Sequence, residues 1–226
     1  MNPFLKNRSP FFWVLILGVG LIAVMLILTP ERKETNPEQL PWNAKILPNH
    51  KVQALGLTLT ETTLEEAMKL YGKDVEIRLF SNKDETEKSL EAYFPVIYID
   101  IIKAALLLKL KTDEATLNGF YDRGIETTVT ATGQRQVKIS GKDIVKTLKL
   151  PIETATLIPR KNLSYRALKI RFGEPAKIVH EKNIQIERWY YPQYALEIIY
   201  DPEGPEALQY ASQFANLMDN SNQQQP

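Results

Sequence analysis

The side chains that do most protein chemistry are scarce in these 226 residues. There is no cysteine, which removes thiolate nucleophiles, disulfides and sulfur-ligated metals together. The two histidines, His50 and His180, stand alone, without an HExxH-type partner at metal-ligand spacing. His180 beside Glu181 on a strand reads as structural. Gly141-Lys142-Asp143 lacks the upstream glycine and the hydroxyl residue of a phosphate loop, and no serine sits in a G-x-S-x-G elbow. Asn162-Leu163-Ser164 has the form of a glycosylation sequon, but Asn162 is also placed to cap the helix after it. Carboxylate pairs for glycoside chemistry depend on space rather than sequence and single out no residue. The expectation is therefore no catalytic residue, no cofactor, no metal and no nucleic-acid partner.

Recognition is the chemistry that remains. Over residues 184–191 the alternation sends Ile184, Ile186 and Tyr190 one way and Gln185, Glu187, Trp189 and Tyr191 the other. The polar neighbours suggest an open sheet face, where large aromatics make binding hot spots. Trp189 and Tyr191, with Gln185, Glu187 and Glu197, are the candidate binding residues. The competing arrangement, rings packed under a loop or against a neighbouring unit, stays open. A second candidate is charge. Residues 130–171 hold ten Lys or Arg, among them Arg135, Lys138, Lys142, Lys146 and Lys149, against only Asp143 and Glu153. The flanks are acidic, and the whole chain nets +1. The basic run either pairs with those flanks or faces anionic lipid or an acidic partner.

These residues are positioned by an anchor and a folded part. Residues 11–28 (FFWVLILGVGLIAVMLIL) are apolar on every side, and as a helix would span about 27 Å. Lys6 and Arg8 precede the run and the charges after it cancel, so the N-terminus is expected in the cytoplasm. A cleaved signal would be shorter and would end in small residues. An exported domain without disulfides fits a bacterial envelope. The expected order is a cytoplasmic segment 1–10, a transmembrane helix 11–29, and a proline-rich spacer 30–50 containing Pro37, Pro41 and Pro48. Trp42 within it either meets the lipid interface or docks on the domain.

Beyond the spacer, residues 52–60 read as a strand, and Thr62 or Thr63 opens a helix in a capping box with Glu65 or Glu66, stopped by Gly72. Residues 75–80 form a strand. Pro95 and a β-branched cluster favour two strands over residues 90–110. A helix over 112–123 precedes a hairpin around Thr132-Gly133, with Ile125, Val129, Val137 and Ile139 inward. Ser140 opens a short helix that turns Ile144, Val145 and Leu148 to the core. Residues 152–158 are a strand, and a helix capped by Asn162 and stopped by Gly173 leads into four more strands. Residues 219–226 are a polar tail.

Leu64 to Gly72 and Tyr165 to Gly173 share a pattern, and Tyr93-Phe94-Pro95 answers Tyr190-Tyr191-Pro192. This points to an α+β fold of two tandem units, 51–124 and 125–218, each packing short helices on its own antiparallel sheet. The residues Arg171-Phe172-Gly173-Glu174-Pro175, Trp189-Tyr190-Tyr191-Pro192 and Ala207-Leu208-Gln209-Tyr210 resemble the small protein A/OmlA family of bacterial envelope proteins, whose fold is similar to tandem-repeat β-lactamase inhibitory protein. The resemblance implies a non-enzymatic protein-binding module. The expected function is a single-pass inner-membrane protein whose periplasmic domain binds a partner in envelope assembly or maintenance. The alternative is an envelope glycan-binding protein or a carboxylate-dependent glycan-active enzyme.

Overall fold

Residues 36–131, 133–181 and 185–214 are described by the computed structural model of this chain. The expected segments 1–10, 11–29 and 219–226 lie outside them, as do Thr132 and Ile184. Among the described residues no helix is long and apolar enough to cross a membrane. The chain runs β1 (Lys45–Ile46), β2 (Val52–Ala54), β3 (Leu57–Thr58), α1 (Leu64–Tyr71), β4 (Glu76–Ser81), β5 (Lys88–Ile99) and β6 (Ile102–Leu110). It continues through α2 (Glu114–Asp122), β7 (Glu126–Val129), β8 (Arg135–Lys138), α3 (Gly141–Thr147), β9 (Ile152–Pro159) and α4 (Tyr165–Phe172). It closes with β10 (Lys177–His180), β11 (Glu187–Tyr191), β12 (Leu196–Tyr200) and β13 (Ala207–Ala211).

Ten of these strands form one antiparallel sheet, in the order β10-β11-β12-β13-β9-β6-β5-β4-β8-β7. This corrects the expectation of two tandem units with a sheet each. Strand β9 is the reason, because it pairs with β13 on one side and β6 on the other. Two separate sheets would leave bare backbone edges there, and β9 satisfies both.

The register shows how the two faces differ. Tyr191, Leu196, Tyr210, Ala155, Leu108, Ala92 and Ile77 lie side by side across seven strands, and all are buried. Helices cover this side, with Tyr71 of α1 packing edge-on to Phe94 at 6.4 Å and Phe172 of α4 lying 5.9 Å from Tyr191. The adjacent row is Tyr190, Glu197, Gln209, Thr156, Leu107, Tyr93 and Glu76. It is buried only at the Tyr190 and Glu197 end, near Phe214, and opens to solvent towards Glu76.

Local signals explain the helices. Thr63 and Glu66 close the capping box of α1, and Gly72 at φ +104° ends it in a backbone conformation other residues resist. Gly173 at φ +80° does the same for α4. The cap of α4 is Ser164, not Asn162. The expected strand over 52–60 is instead the β2–β3 hairpin, turned by Leu55 and Gly56, both at positive φ.

The expected spacer folds back on the domain from Asn36 onwards. Its prolines start two short 3-10 turns, Pro37–Gln39 and Pro41–Asn43, and Ala44 is buried. Trp42 docks, with the Arg171 guanidinium 4.2 Å above its ring. The buried Tyr210 hydroxyl donates to the Pro41 carbonyl at 2.7 Å, tying this segment to the sheet. Tyr210→Phe leaves that carbonyl unpaired and is expected to cost about 1–2 kcal/mol in urea unfolding. A cost near zero would show that the segment contributes nothing to stability.

Candidate functional site

The candidate aromatic surface is internal: of the two arrangements that the sequence left open, the rings are packed and do not form an open binding face. Trp189 and Tyr191 are both fully buried beneath α4. Trp189 stacks on Tyr200 at 5.2 Å, meets Tyr165 edge-on at 4.8 Å, and donates from Nε1 to Glu187 at 2.7 Å. The Tyr191 hydroxyl donates to the Gly173 carbonyl, and burial pushes its phenol up to about 12. Gln185 is exposed at the turn before β11, and Glu187 is half-buried. Glu197 is buried on the opposite side of the sheet from Trp189, accepting from Arg188 at 2.8 Å. The five candidate residues therefore do not share one surface. Arg188 also binds Glu181, so these two carboxylates form an ion-paired group around one guanidinium rather than an acid–base pair.

The basic segment divides. Arg135 pairs with Glu85 and donates to the Tyr121 hydroxyl. Lys146 reaches Asp143 at 3.1 Å, and Lys169 reaches Glu174 at 2.7 Å. Lys138 lies across the ladder from Glu126, while Lys142 and Lys149 are exposed around α3. Arg135 and Lys169 thus find their partners in the acidic flanks, and Lys146 finds its own within the segment, at Asp143.

Asp143 is the buried charge of this region. Arg123 donates to it through Nε at 3.1 Å and through its terminal nitrogen at 3.0 Å, and Ser140 Oγ donates at 2.8 Å. The Arg123 guanidinium holds the carboxyl well below the usual range. Burying Asp143 and Thr147 turns α3 so that Ile144 and Val145 face solvent, against the expected inward orientation. Ile125 and Val129 depart in the same way, being 63% and 70% exposed.

The surface that fits recognition is the uncovered sheet face. At its centre Thr156, Leu107 and Tyr93 sit in one cross-strand row, half-exposed, with Thr154, Lys109, Glu91 and Arg78 beside them. Arg160 donates to the Pro95 carbonyl and lies 3.5 Å from the Tyr93 hydroxyl, and Lys109 pairs with Glu153 at 3.0 Å. This is a shallow surface of one ring and aliphatic groups bordered by both charges. Of two larger hollows, one of about 530 Å³ is mixed in character, lined by Phe80 and Leu117 as well as Asn82, Lys88, Glu114 and Asn118. The other, about 450 Å³, is apolar, between Trp42, Ile101, Leu163 and Phe172. Among the described residues no group of three His, Cys, Asp or Glu could hold a metal ion.

Comparison with protein-family models, curated proteins and solved structures finds no match. Sequence reasoning missed Tyr93, Leu107 and Thr156. The signal was the pairing of Lys109 and Glu91 with apolar neighbours two residues away, which marks a half-wet face on β5 and β6.

Proposed function

We propose that this protein is a non-enzymatic, single-pass inner-membrane protein whose periplasmic domain binds a partner protein of the cell envelope on the uncovered sheet face. One observation carries the reading. The sheet is covered by helices on one side, while its other side presents Tyr93, Leu107 and Thr156 half-exposed in a single row. Antiparallel sheets tolerate a wet face, but a tyrosine and a leucine at its centre provide the apolar anchor that interfaces use. The apolar residues 11–28 and the charge bias around them support the membrane placement. The resemblance to small protein A/OmlA supports a binding module.

The test is photo-crosslinking in the native cell, with probes at Tyr93, Leu107 and Thr156 and a control at the exposed Lys142. A discrete protein adduct from the sheet positions, absent from the control, is expected. Leu107→Asp is then expected to weaken the complex by about 2 kcal/mol, roughly thirty-fold in Kd. No adduct at any of the three positions, or equal yield from Lys142, overturns the reading.

A further inference from the structure

The two edges of the ten-stranded sheet are unlike. At one end, β10 is partly covered, with Val179 buried and Lys177 and Ile178 half-buried. At the other end, all four residues of β7 are exposed, and the stretch Ile125-Glu126-Thr127-Thr128-Val129-Thr130 holds one charge among β-branched residues. Such a strand is a template for pairing.

The ladder shows which backbone groups are available. Thr130 N–H donates to the Gln134 carbonyl, and Ile125 N–H donates to the Lys138 carbonyl beside the Glu126–Lys138 pair, a β-bulge. With antiparallel alternation, Glu126, Thr128 and Thr130 direct their backbone groups to β8. Thr127 and Val129 direct theirs outward.

We infer that β7 pairs antiparallel with β7 of a second copy of this chain, about a two-fold axis at Thr128, continuing the sheet through both molecules. This register puts Thr127 opposite Val129 of the second copy, and the reverse, so that all four outward-facing N–H and C=O groups of the two residues in each strand exchange hydrogen bonds. It also sets Glu126 against Thr130 rather than against another carboxylate. Ile125, Thr127 and Val129 lie on the same side as buried Val137, the cross-strand partner of Thr127. The two sets of exposed apolar side chains therefore meet on one face. A slip of one residue would align inward-directed groups with the second strand and lose the bonds. The contact is isologous, so assembly through this edge closes at two.

The chain has no cysteine, so a single introduced thiol reports a single position. In the proposed register Thr128 faces its own copy as a non-hydrogen-bonded pair, with Cα atoms about 4.5 Å apart, within disulfide reach. Residues 127 and 129 face their own copies two residues out of register, beyond about 7 Å. The experiment is mild oxidation of full-length T128C, T127C and V129C in native membranes. A covalent dimer from T128C, forming much faster than from the other two, is expected. Adding V129P to T128C removes an outward N–H without touching the β8 ladder, and is expected to abolish the dimer at unchanged thermal stability. Equal rates at all three positions, no dimer from T128C, or a mixed disulfide with a different protein would each overturn the assignment to a second copy.

Discussion

Trp189→Ala is expected to destabilise the domain by about 3–5 kcal/mol, as measured by urea unfolding. The ring is fully buried and has partners on three sides: Tyr200 stacked at 5.2 Å, Tyr165 edge-on at 4.8 Å, and Glu187 accepting from Nε1 at 2.7 Å. Truncation removes the transfer energy of the indole, leaves a void that packed neighbours fill only in part, and strips the Glu187 carboxylate of a donor. Trp189→Phe retains most of the apolar contact and is expected to cost clearly less. The experiment also separates two roles for this residue. A surface hot spot would lose binding at constant stability, whereas a core ring loses stability first. A cost below about 1 kcal/mol for Trp189→Ala would contradict its burial.

Asp143→Asn is expected to be the second large effect, on the order of 2 kcal/mol near neutral pH, because charge-assisted hydrogen bonds to a buried carboxylate are lost. Its partners are Arg123, Ser140 and Lys146. The pH dependence has a definite sign. The hydrogen bonds from Arg123 lower the carboxyl below its usual value in the folded state. The contribution is therefore fully present above the unfolded value of about 3.9 and is lost as pH falls below it. Unfolding of wild type and Asp143→Asn should differ most at neutral pH and converge in acid. A difference that stays constant down to about pH 2 would remove the titration of Asp143 as its cause.

Local chemistry was readable in the sequence, and non-local pairing was not. The capping box at Thr63 and Glu66, the stop at Gly72, and the division of residues 90–110 into two strands all depend on neighbours within a few positions. The alternation along β11 was read in the right register, but not which side is covered, because both are: Trp189 is 0% exposed and Tyr190 1%, so alternation carries no burial signal there. Ile125 and Val129 were assigned to the correct side, but the strand they occupy is an edge that no helix covers. Val145 was read as core because it is apolar, whereas the buried position went to Asp143, whose partner Arg123 stands 20 residues away. The candidate site moved for the same reason. Tyr93 and Leu107 meet within the β5–β6 hairpin, but Thr156 joins them only through β9, and nothing near β9 in the chain announces its two partners.

The placement of β13 between β12 and β9 also bears on how the molecule is made. The β5–β6 hairpin joins residues close in sequence, but β9 meets β13 only across a loop that contains α4 and three strands. Until residues 207–211 have been synthesised, one whole side of β9 has no partner and the core under Leu157 and Ala155 stays open. Final consolidation therefore waits for β13 to emerge, and a nascent chain carries an unprotected, aggregation-prone strand until then. Deleting residues 207–211 would take away the strand that joins β12 to β9.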